Sequence, residues 1–228
     1  MAGPINLPAA SYGRTLKIAD LMAMVAAYLE LETTDLDQED IKRWALDGLR
    51  WLLPLAPEMA VESVILTQAF TYSLGIELSA FSYKPLKVVR VLNATDGDQL
   101  LHVDAGTYAK ATAQLESDDF YVDLETDISH GAYGAGSRVW TELAGNIYCY
   151  RVDSSDQIAV GYIGDPEWDA DDHTKIPVGW EGWVALYCAV QFKHQDEELE
   201  QAAALYTQLA GQLQKMGGFE DVPSTIGG

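Results

Sequence analysis

Asp165, Glu167, Asp169, Asp171, Asp172 and His173 fall within nine residues of one another in the stretch GDPEWDADDHTKIPVGW. Carboxylates and an imidazole at that density are the groups that hold cations or move protons, so the spacing has to be tested against each chemistry. A calcium loop of the EF-hand kind needs Gly at its sixth position and Glu at its twelfth. Counted from Asp165, those positions hold Ala170 and Ile176. A transition-metal site wants a second histidine close by, and His173 has none. Asp171 and Asp172 are adjacent, so in extended chain they point to opposite sides and cannot share one ion. The pattern predicts a solvated acidic loop that feeds a helix starting just after Pro177 and is not a reaction centre, with an adventitious cation site as the alternative.

Other chemistry finds no foothold. No G-x-S-x-G stretch occurs, and neither Cys149 nor Cys188 stands in a motif with a histidine. HGAYGAGSR, from His130 to Arg138, is glycine-rich, but it follows no strand and opens no helix, so it reads as a loop and not as a phosphate cradle. His102 and His194 read as surface or core side chains. A carbohydrate hydrolase could draw on Glu167 or Asp169 beside exposed Trp168 and Trp180, but with 35 acidic residues many carboxylate pairs arise by chance, and none is singled out. The sequence predicts no catalytic residue, no cofactor and no metal.

The elements that would carry these residues follow from periodicity. Residues 1–14, with Pro4, Pro8 and Gly13, read as an extended arm. TLKIADLMAMVAAYLEL, from Thr15 to Leu31, places Leu21, Val25 and Tyr28 on one helical face. In the next helix Asp37 is placed to cap, Leu36 and Ile41 to form a staple, and Glu39 and Asp40 to meet the positive end of the helix dipole. Pro54 is expected to end that helix, and the short link between the two predicts antiparallel neighbours within residues 15–60.

Residues 61–164 change character. ESVILTQAFTYSL, LKVVRVLN, QLLHVD, RVWTEL, NIYCYRV and QIAVGYI are short, rich in β-branched and aromatic residues, and separated by turn formers. Asn93–Gly97 and Ala144–Asn146 read as hairpin turns, and DAGTYAKATAQLE as a short helix. After the acidic loop at 165–177, two helices follow within 178–216. Trp183, Tyr187 and Val190 form a stripe on the first, and Ala202, Leu205, Leu209 and Met216 on the second. Residues 217–228 have no periodicity and read as a flexible tail. The expected fold is α+β: a bundle of N- and C-terminal helices with an inserted antiparallel β-rich module.

Composition bounds the rest. The chain has 228 residues, 48% of them hydrophobic, and a formal charge of −21, so a core is available and a nucleic-acid grip is disfavoured. Cys149 and Cys188 read as free, buried thiols in a reducing compartment. MAGPINLPAA lacks the basic and apolar segments of a signal peptide. The most apolar region is broken by Pro54, Pro57, Glu58 and Glu62, too interrupted to span a bilayer.

One resemblance rests on the order of elements. The strand QIAVGYIGDP leads through a polar loop to IPVGWEGWVALYCAVQF and then ELEQAAALYTQLAGQLQKM, with Ala202 and Tyr206 in an A-x-x-x-Y pattern. Together with DIKRWALDGLRWL before the first strand and LKVVRVLNATDGDQLLHVDAGTYAKA after it, this resembles the head-to-tail adaptor (connector) proteins of tailed bacteriophages. The likeness covers most of the chain as a pattern of order, and the long middle β region departs from it. It implies a homo-oligomeric ring, commonly a dodecamer, assembled in the host cytoplasm and docked beneath the portal protein in the virion neck, next to tail or neck proteins. Double-stranded DNA would pass through its acidic channel without a membrane being involved. The tail would dock on the portal through Phe219, Val222 and Ile226. Another neck or tail-completion component would follow the same logic.

Overall fold

The computed structural model describes residues 14–73, 75–106, 108 and 138–215. Most of the expected arm, most of the glycine-rich stretch after His130, Met216 and the tail with Phe219, Val222 and Ile226 lie outside the described residues. In chain order the elements are β1 (Arg14–Lys17), α1 (Ile18–Leu29), α2 (Gln38–Leu55), α3 (Glu58–Val61), β2 (Ile65–Thr71), β3 (Ile76–Glu77), β4 (Pro85–Asn93) and β5 (Gln99–His102). After the undescribed stretch come β6 (Val139–Leu143), β7 (Asn146–Tyr150), β8 (Gln157–Gly164), β9 (His173–Ile176), α4 (Glu181–Gln195) and α5 (Leu199–Lys215). They fall into two compact units, one spanning Leu66–Tyr162, the other joining the described parts of Pro8–Ile65 and Ile163–Gly228.

In the helical unit α4 is the central element. Trp183, Val184, Ala185, Leu186, Cys188, Ala189 and Val190 are all buried, which leaves almost no polar face and requires neighbours on several sides. Near the start of α2, Cys188 Sγ lies 3.9 Å from Ile41 O. The Trp44 ring meets Phe192 edge-on at 6.5 Å. Farther along α2, Trp51 lies against Tyr187 at 5.8 Å. The Tyr28 hydroxyl, near the end of α1, lies 3.7 Å from where a Cβ on Gly182 of α4 would stand, so α1 packs near the start of α4 as well. α5 folds back on α4 through Val190, Tyr206 and Ala210, with Trp51 and Leu205 packed against them.

The starts of α1 and α2 instead meet at one residue, Asp172, whose carbonyl accepts the Ile18 N–H at 3.1 Å and whose carboxylate accepts from Gln38 at 3.1 Å, so the link does not turn the chain into the expected antiparallel pair. The reason is reach. Residues 30–37 contain a 3-10 turn at Thr33–Asp35, yet at about 2 Å for each of those three residues and about 3.3 Å for the other five they can still cover roughly 22 Å, more than the ~18 Å length of a twelve-residue helix, so they can carry the chain back to where α1 began. Asp37 does cap α2, its Oδ1 accepting the N–H groups of Glu39 at 2.9 Å and Asp40 at 3.0 Å. Pro54 sits inside the last turn of α2 and does not end it.

The sheet unit holds all six expected strands, but the predicted fold class is wrong. The strands form one seven-stranded mixed sheet, in the order β2-β8-β4-β5-β6-β7-β3, that approaches a barrel. β5 and β6 are parallel, Leu101 opposite Val139 and His102 opposite Trp140, so the module is not antiparallel throughout. Nor are the terminal helices a plain bundle, because their unit contains its own two-stranded sheet, β1 against β9. Parallel neighbours cannot be joined by a tight turn, and residues 103–138 separate β5 from β6 in the chain. The hairpins at Asn93–Gly97 and Ala144–Asn146 form as expected. At the second, Ala144 (φ 49°) and Gly145 (φ 77°) both take the left-handed conformation that a tight two-residue turn demands. The core of this unit gathers Tyr72, Phe81, Val91, Leu100, Trp140, Ile147, Ile158 and Tyr162, with Phe81 4.7 Å from both Phe70 and Tyr162. No helix among the described residues is long and apolar enough to cross a membrane.

Candidate functional site: the acidic run and its anchors on helix 2

The acidic run lies within the helical unit, and most of its acids have assigned partners. Asp165 Oδ1 accepts from Arg50 Nε at 2.7 Å, and Arg50 Nη1 reaches Asp47 of its own helix at 3.2 Å. Two residues past Pro166, the half-buried Trp168 donates its indole N–H to Lys42 O at 3.0 Å. Asp169 turns the chain: its Oδ1 accepts the backbone N–H groups of Asp171 and His173, both at 2.9 Å. Glu167 and Asp171 are exposed.

Asp172 is the node. Its backbone is left-handed at φ 59°, a conformation that Asp tolerates better than most side chains. Its carbonyl accepts the N–H of Ile18, the first residue of α1, at 3.1 Å. Its carboxylate accepts from Gln38, the first residue of α2, at 3.1 Å and from Lys42 Nζ at 2.7 Å. One residue thus joins the starts of two helices, with an anion where both helix dipoles favour it. The hydrogen bond from Lys42 holds the Asp172 carboxyl below the usual carboxylate range, and the same contact, helped by Glu39, raises Lys42. Arg50 is likewise raised, chiefly by Asp165.

This geometry corrects two expectations. The run is not simply solvated, because Arg50, Lys42 and Gln38 fasten it to one side of α2, and its end, His173–Ile176, is strand β9. The following helix starts at Glu181, after a turn in which Gly179 is left-handed (φ 86°). Trp180 is 2% exposed, so no sugar-stacking face pairs it with Trp168. His173 Nδ1 stands 3.9 Å from Asp169 Oδ2, while the other oxygen of that carboxylate is held by backbone. Among the described residues no three His, Cys, Asp or Glu side chains come together as a metal site.

The remaining candidates are dispersed. His102 stacks on Trp140 at 4.5 Å, and His194 is exposed at the end of α4. Cys149 and Cys188 are both free and buried. Burial pushes the Cys149 thiol up to about 12, and Cys188 also upward. Neither thiol is poised as a nucleophile. The partners that sequence reasoning missed are Gln38, Lys42 and Arg50. The available signal was two cations eight residues apart on one side of a predicted helix, in a chain poor in cations.

No protein-family model matches the chain, and no curated protein matches it.

Proposed function

We propose that this chain is a structural ring subunit of a tailed-phage virion neck, standing between portal and tail and passing double-stranded DNA through an acidic bore. The observation that carries the reading is the distribution of charge. By sequence, Pro8–Ile65 with Ile163–Gly228 holds 22 acids against 8 bases, a net −14, while the rest holds 13 against 6. Among the described residues, bases of this unit are paired with its own acids: Lys42 with Asp172 and Glu39, Arg43 with Asp40, Arg50 with Asp165 and Asp47, and Lys193 with Glu198. Phosphate binding needs free cations whose contacts release counterions from DNA. A surface with acids in excess, and with several of its few cations already paired, repels the backbone and lets it slide.

The order of strand, loop, aromatic turn and two helices supports the same reading, since it is the order on which the adaptor resemblance rests. In this account subunits assemble in the host cytoplasm on the portal as template, and Phe219, Val222 and Ile226 of the tail dock into it. Many weak docking contacts around a ring give avidity that no single tail would have. The test is light scattering of the chain alone and mixed with the portal protein. A mass increase equal to a ring of subunits supports the proposal, a mixture whose species stay separate refutes it, and association with a tail protein instead moves the chain to another neck position.

A further inference from the structure

We draw no further inference here: the strongest candidate, the uncharged outward face of α1 at Ala19, Ala23 and Ala27 together with that of α5 at Ala203, Ala204 and Thr207, is a pair of small-residue helix faces, and nothing in the structure shows what covers them.

Discussion

The Tyr72 hydroxyl donates to the Cys149 carbonyl at 2.9 Å and accepts the Cys149 N–H at 3.0 Å. β3 pairs with β7 only at Ile147 and Asn146, so beyond its end the next outward-facing peptide group of β7 would be left open. One phenol fills both hydrogen-bonding positions that a neighbouring strand would have supplied. Tyr108 adds a weaker donor to the same carbonyl at 3.3 Å. Burial raises the Tyr72 hydroxyl above its ordinary value, so it stays protonated and able to donate. An open strand edge invites pairing with other chains, and here a side chain closes it.

Replacing Tyr72 with Phe keeps the ring and removes both bonds. The buried Cys149 N–H then has no partner, which costs about 1–3 kcal/mol. Urea denaturation of Y72F followed by circular dichroism should show a lower midpoint with an unchanged slope. An unaltered midpoint would mean that the edge is satisfied in another way.

Asp172 and Asp96 both have carboxyls held below the ordinary 3.8, Asp172 by Lys42 and Asp96 by Arg138. A depressed folded-state value makes each contribution complete above the unfolded value and lost as pH falls through the folded one. The urea midpoint is therefore expected to decline as pH drops below about 4, and D172N should flatten that decline. At neutral pH Asp172→Ala loses both the clasp and the left-handed preference, whereas Asp172→Gly loses only the clasp. The alanine variant should be the less stable of the two in the same titration.

Gly48 lies where α2 comes close to Tyr187 of α4. A Cβ there would fall 2.7 Å from Tyr187 Cδ1 and 3.0 Å from its Cγ, atoms near the root of the ring that cannot swing away cheaply. Alanine gains about 1 kcal/mol of helix propensity, but overpacking a tight core costs about 1–3 kcal/mol. G48A should thus be neutral to about 2 kcal/mol less stable. A melting temperature clearly above that of the parent would show that the helices are not in contact at this point.

With the Cys149 thiol at about 12 and Cys188 fully enclosed, thiolate is scarce near neutral pH. Ellman's reagent at pH 8 should titrate neither thiol in the folded chain and both in urea. Rapid labelling of the folded chain would contradict the burial of the strand and helix that carry them.

Much of this fold was legible because local patterns decided it. β-branched and aromatic residues in LKVVRVLN and QIAVGYI gave strands, turn formers gave the hairpins, and Asp37 before two acids gave the start of α2. What stayed hidden depends on distant partners. β9 is four residues, HTKI, inside an acidic run, and it is a strand because Arg14–Lys17 pairs with it. That pairing also moved the start of α1 from Thr15 to Ile18. A period of two is the same for parallel and antiparallel neighbours, so the direction of β5 against β6 could not be read from either strand. The clasp was hidden for the same reason, with Gln38 standing 134 residues from Asp172.

If the tail docks on the portal, a chain lacking residues 217–228 should keep the parent's melting temperature and circular dichroism while losing portal binding. Undiminished binding would remove Phe219, Val222 and Ile226 from the proposal and leave docking to the folded units.

The most direct test of the neck assignment is negative-stain imaging of portal particles incubated with the full chain. The account predicts an added ring of density on the tail-facing side of the portal, coaxial with an open channel. Portal particles indistinguishable from those without the chain, with the chain left as free monomers in the background, would contradict it.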